Sequence, residues 1–145
     1  VRALIQRVSQ ASVEIEGKII GEIGAGILVL LGVAPEDSAS DTERLAEKII
    51  NYRIFPDTLK PMNTSLRDIG GELLVVSQFT LCADTKKGLR PGFSSAASPE
   101  VAEPLYNDFI DYCRRKIDRV ETGIFGADMQ VALVNDGPVT FLLES

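Results

Sequence analysis

The hydrophobic period changes several times along the chain, and each change marks an element. Val13 and Ile15 alternate with Glu14 and Glu16, the two-residue period of a half-buried strand. Residues 4–8 and 11–15 read as two short strands around Ser9-Gln10. Gly17-Lys18 predicts a turn and 19–23 a third strand. After Gly24-Ala25-Gly26, residues 27–33 are apolar on both faces, which predicts a buried central strand.

The period then lengthens. Ser40 is followed three residues later by Glu43, the form of a capping box. Leu45, Ala46, Ile49 and Ile50 follow at helical spacing, predicting a helix over 41–52. Residues 53–55 read as a short strand, 57–71 as loop, and 72–80 as a strong strand. A long polar loop covers 83–98, a length usually associated with function or mobility. Ser98-Pro99 opens a second helix, with Ser at the cap and Pro in the first turn. Val101, Leu105, Phe109, Tyr112, Cys113 and Ile117 are expected to form its apolar face. The last strands fall at 120–122, 130–135 and 139–143. The sum is an α/β fold: a mixed sheet or partial barrel of about eight strands, with two main helices packed on one side.

The 145 residues suit one domain, 1–145. No apolar run approaches the roughly 20 residues of a membrane span, and Arg7 interrupts any signal-peptide core, so a cytoplasmic protein is the expectation. There is no histidine, which excludes Ser-His-Asp and Cys-His catalysis and removes the usual metal ligand. Cys82 and Cys113 are too few for a four-ligand structural zinc site and read as free, buried thiols. No metal and no cofactor are expected. A net charge of −6 argues against non-specific coating of nucleic acid, while leaving room for a local basic patch.

Three stretches are candidates for chemistry. The strand of 72–80 turns polar at Ser77-Gln78-Phe79-Thr80. Either its hydroxyls bond to backbone where the strand leaves the core, or Gln78 and Thr80, alternating onto one face, line a site. Thr80 as a nucleophile would need a base that the spacing does not supply. Chemistry here would rest on positioning and backbone N–H donors, which suits an ester better than an amide. Asn135-Asp136-Gly137-Pro138-Val139-Thr140 reads first as a β-turn. Lys86, Lys87 and Arg90 are either a solvated loop or a phosphate-contacting patch.

Together these segments resemble the D-aminoacyl-tRNA deacylases, also called D-tyrosyl-tRNA deacylases, nearly end to end. The similarity starts at Arg2-Ala3-Leu4-Ile5-Gln6-Arg7-Val8-Ser9-Gln10-Ala11-Ser12-Val13. It continues through Gly70-Gly71-Glu72, the Ser-Gln-x-Thr motif at Ser77 to Thr80, and the opening of the second helix at Pro99 to Tyr106. It ends with Phe125-Gly126-Ala127-Asp128-Met129 and the Asn-x-Gly-Pro-Val-Thr motif at Asn135 to Thr140. The resemblance implies a homodimer that cleaves the ester joining a D-amino acid or glycine to the terminal adenosine of tRNA, sparing L-aminoacyl-tRNA, without a metal. It implies catalysis around Ser77, Gln78, Phe79 and Thr80, and substrate binding by Gly137, Pro138, Val139, Phe125, Met129 and Arg7. It also implies that Gly137-Pro138 is cis and reaches the partner's pocket. Thr80 has been considered the family's nucleophile; the alternative gives activation to a ribose hydroxyl of the tRNA, and the missing base favours that alternative. Two other classes compete: a hydrolase of small activated esters, and a non-catalytic RNA- or nucleotide-binding module.

Overall fold

The computed structural model describes residues 1–145. Its organising element is β1 (Arg2–Ile15), one strand where two were expected. On one side β1 pairs antiparallel with β3 (Gly26–Gly32) along its first half and with β2 (Lys18–Ile23) along its second. On the other side it pairs with the last strand, β6 (Gln130–Glu144), along nearly its whole length. Ser9 and Gln10 fall where β3 has ended and β2 has not begun. They are exposed because a neighbour is missing there, not because the chain turns.

The remaining strands are parallel. β4 (Glu72–Ser77) pairs with β3, and β5 (Val120–Thr122) pairs with β4, giving one six-stranded mixed sheet. The expected strands 130–135 and 139–143 are likewise one strand; these two mergers and the loss of 53–55 leave six strands where about eight were expected. Residues 53–55 contribute only an isolated bridge, Phe55 to Thr64.

Three helices cover the sheet's connections: α1 (Ala39–Asn51), a single turn α2 (Leu66–Ile69) and α3 (Pro99–Lys116). The cap of α1 lies two residues earlier than expected. Ser38 donates its backbone N–H to Asp41 at 2.9 Å, and this bond chiefly holds the Asp41 carboxyl below the usual carboxylate range. α3 starts at Pro99 as expected, but its buried stripe is rotated. Ala102, Tyr106, Phe109, Ile110 and Cys113 face inward, while Val101 is exposed. The Tyr106 hydroxyl fixes that rotation by donating to the Val75 carbonyl at 3.0 Å, a buried polar group finding its partner.

The core has two parts, one on each sheet face. The larger joins α1 and α3 to Ile5, Val29, Leu31, Leu73 and Val75. The smaller gathers Val8, Val13, Leu28, Leu74 and Val76, with Met129, Val131 and Leu133 packed against it. Both cysteines are free and buried, and burial pushes the Cys113 thiol up to about 12. No helix is long and apolar enough to cross a membrane.

Candidate functional site

The strand β4 stops at Ser77, three residues short of expectation, and the chain tightens into a 3-10 turn over Phe79–Cys82. Gln78 donates its N–H to Leu31 at 2.7 Å, and the Ala83 N–H returns to Thr80 at 3.1 Å. Buried Cys82 draws the turn against Gly32. A Cβ at Gly32 would stand 3.0 Å from the Gln78 carbonyl and 3.1 Å from the Cys82 sulfur, so glycine is what lets the turn approach β3.

This turn puts Ser77, Gln78 and Phe79 on the wall of one pocket of about 660 Å³. Because the strand has ended, its alternation no longer separates Gln78 from Ser77 and Phe79, although the Gln78 and Thr80 side chains still meet. Phe125 and Met129 line the same pocket from the β5–β6 connection, and Val76 and Val131 from the sheet. Thr80 is exposed and outside the lining; its hydroxyl accepts a bond from the Gln78 side-chain amide at 2.5 Å. No carboxylate, lysine or other base is hydrogen-bonded to it.

The long loop supplies a wall that the residue pattern did not announce. Phe93 packs on Phe79 with ring centroids 5.1 Å apart, and both are about half exposed at the pocket. Ala97 is tied to the chain just past β3 by its N–H to the Val33 carbonyl at 2.9 Å, and Ser95 donates its hydroxyl to the Cys82 carbonyl at 2.5 Å. A lone aromatic after Gly92 in an otherwise polar loop was the available signal. Tyr106 and Ala102 close the pocket from α3. Burial pushes the Tyr106 phenol up to about 12, so it stays a neutral donor.

The second motif is not a β-turn between two strands. Gln6 pairs with Thr140 and Val8 with Asn135, so residues 136–139 stand against Arg7 alone, and the three extra residues bulge from the β1–β6 ladder. Asn135 spans the bulge: its side-chain oxygen accepts from the Val139 N–H, and its amide donates to the Thr140 hydroxyl, both at 2.9 Å. Val139 is buried in the main core, while Gly137 and Pro138 are exposed. The Gly137-Pro138 peptide is cis. Gly137 has φ +144°, and a Cβ there would stand 2.6 Å from the Val139 side chain.

Arg7 holds the bulge in place. Its guanidinium donates to the Asp136 carbonyl at 2.9 Å and the Ile54 carbonyl at 2.7 Å, with the Asp136 carboxylate 3.6 Å away. Such charge-assisted bonds to backbone fix position as well as energy. None of Arg7, Gly137, Pro138 and Val139 lines the pocket of their own chain. Val131 does, and Asn135 lies four residues further along β6, roughly 13 Å at ~3.3 Å per residue. Lys86, Lys87 and Arg90 lie on a third feature, the exposed tip of the 84–92 hairpin, and form no salt bridge.

The family model described as D-Tyr-tRNA(Tyr) deacylase matches residues 4–144. A D-aminoacyl-tRNA deacylase of Teredinibacter turnerae is 57% identical over 144 residues, covering 99% of each chain. One of Escherichia coli is 56% identical over 142 residues, 98% of each. The solved structure of a c-Myc DNA unwinding element binding protein superposes with a TM-score of 0.95 at 43% identity, covering 100% of this chain and 99% of that one. A probable eukaryotic D-amino acid tRNA deacylase shares the fold, with a TM-score of 0.85 at 17% identity over 99% and 98% of the two chains. The matches define a class of enzyme, hydrolases that act on the ester bond of aminoacyl-tRNA. Within it, the chain belongs to the D-aminoacyl-tRNA deacylase family.

Proposed function

We propose that the protein is a proofreading homodimer that frees tRNA from D-amino acids and from glycine carried on a non-cognate tRNA, and leaves L-aminoacyl-tRNA intact. A tRNA substrate puts this work in the cytoplasm. The observation that carries the reading is the separation of the two motifs. The pocket with Ser77, Gln78 and Phe79 is present in one chain, while Gly137-Pro138 stands exposed and away from it, pinned by Arg7. A two-fold dimer is the simplest assembly that delivers such a projection into a second pocket.

In this reading the terminal adenosine and aminoacyl group enter the pocket, where Phe79, Phe93 and Phe125 offer ring faces to the base and Met129 packs beside them. Water adds to the ester carbonyl, the bond to the ribose oxygen breaks, and that oxygen takes the proton. The protein holds no histidine, and Thr80 has only the Gln78 amide as partner, so a ribose hydroxyl of the tRNA assists the water. The N–H groups of Phe79 and Thr80 open the 3-10 turn and so have no partner within it. They are the donors best placed for the developing oxyanion.

Chirality demands a clash. Apolar pockets discriminate by only about 1–3 kcal/mol per methylene, so sparing every L-aminoacyl-tRNA requires a repulsive contact. Gly137 and Pro138, with Val139 anchored beneath, present rigid backbone to the α-carbon, and glycine, lacking a side chain, passes the same gate. Lys86, Lys87 and Arg90 take tRNA phosphates. The test is hydrolysis of D- and L-tyrosyl-tRNA by the pure protein. The reading expects cleavage of the D form with the L form intact, and equal rates would overturn it. Equally fast cleavage of free D-amino-acid esters would assign the protein to small-ester hydrolysis instead.

A further inference from the structure

The 84–92 hairpin carries a residue that the proposed chemistry leaves unused. Asp84 and Gly92 exchange both backbone hydrogen bonds, at 2.8 and 2.9 Å, and close the hairpin at its base. The Asp84 carboxylate accepts the Lys86 N–H at 3.0 Å, so it is turned to the backbone, away from the tip's side chains. Gly88, at φ +71°, makes the turn. Next to it Leu89 is fully exposed, at 104% of its reference area.

A single exposed leucine is ordinary on a protein surface. This one stands at the end of a closed hairpin, between cations that have no carboxylate partner. The hairpin is rooted in the pocket wall, because the residue after its base is Phe93, stacked on Phe79. An apolar tip among free cations matches one partner chemistry well: phosphates for the cations, a base face for the side chain. The reach agrees. Leu89 is three residues beyond Gly92, roughly 10 Å at ~3.3 Å per residue. That is the length of about three stacked nucleotides at ~3.4 Å each.

We propose that Leu89 is an RNA-docking tip that packs on the face of a base about three nucleotides before the terminal one, while Lys86, Lys87 and Arg90 hold the neighbouring phosphates. This rests on the reading of aminoacyl-tRNA as substrate. It assigns part of the affinity for tRNA to an uncharged contact outside the pocket, one that a minimal substrate cannot make.

Leu89→Ser and Leu89→Met test it, since an exposed tip tolerates both. Kinetics are measured on D-tyrosyl-tRNA and on D-tyrosyl-adenosine, and binding of uncharged tRNA is followed across a salt series. The Ser variant is expected to raise KM for the tRNA roughly fivefold to tenfold, with kcat within about twofold. It should leave D-tyrosyl-adenosine kinetics and the salt slope unchanged, and the Met variant should restore KM. An unaltered KM for tRNA, or an equal rise on both substrates, would overturn the proposal. So would dissociation of a dimer by the Ser variant, which would make the tip a contact between copies. If the wild type binds tRNA without cleaving it, the functional reading fails while the binding arm still reports on Leu89.

Discussion

The two motif segments are built in opposite ways. Ser77 to Thr80 sits where a buried parallel strand ends, and its backbone is folded inward by bonds to Leu31 and by the buried Cys82. Asn135 to Thr140 sits on a strand paired on one side only, and its central dipeptide is pushed outward from the ladder. The first makes a concave wall within one chain. The second makes a convex, braced projection that its own chain does not use. In the proposed dimer these two parts, from different chains, would make one site, and each part should fail in its own manner when altered.

The largest effect is expected from Gly137→Ala. The added Cβ meets the Val139 side chain and backbone at 2.6 and 2.9 Å, in a φ region that costs L-residues about 1–3 kcal/mol. Cleavage of D-tyrosyl-tRNA should fall by roughly a hundredfold or more while circular dichroism stays native, since losing an oriented geometry costs on that order. Near-normal cleavage would break the contrast, because the projection would then be ornamental.

Arg7→Ala tests the brace. It removes charge-assisted bonds to two carbonyls, of the kind worth about 1.5–3 kcal/mol each. Because the bond to Asp136 is exposed to solvent and worth less, a loss of about 2 kcal/mol in urea unfolding and a clear drop in kcat are expected, with KM less affected. Replacing Lys86, Lys87 and Arg90 together by Ala should lower the slope of log affinity for tRNA against log salt by roughly three, leaving stability alone. An unchanged slope would make the tip a solvated loop.

The smallest effect should come from the pocket segment's own hydroxyl. Thr80→Ala loses one bond to Gln78 and is expected to slow cleavage by no more than about tenfold, consistent with about 0.5–1.5 kcal/mol. An acyl-enzyme trapped on Thr80, or a loss of several orders of magnitude in a folded variant, would make the hydroxyl a nucleophile.

The two segments also differ in how much of them was legible. Residue pattern located β5, the start of α3 and the free thiols, because period and punctuation act locally there. It split β1 at Ser9-Gln10 and β6 at Asp136-Gly137-Pro138, since polar or turn-forming residues read as breaks when no partner is in view. In the fold, β1 continues because β6 runs beside it, and the apparent turn becomes a bulge. The pocket followed the same rule. Ser77, Gln78, Phe79, Phe125 and Met129 converge in space, but Phe93 reaches the wall through the Asp84–Gly92 closure, a contact between loop strands that no spacing encodes. Thr80 was placed on a strand face that ends before it, because the pull of Cys82 toward Gly32 is tertiary.

The proposed division of the site between two chains is open to one direct measurement. A Gly137→Ala variant and a Gln78→Ala/Phe79→Ala variant, each inactive alone, are unfolded together, refolded as a mixture, and assayed on D-tyrosyl-tRNA. Mixed two-fold dimers would each contain one site with an intact wall and an intact projection, restoring about a quarter of wild-type activity. A mixture no more active than its two components, with mixed dimers demonstrated by mass, would show that each chain's projection serves its own pocket.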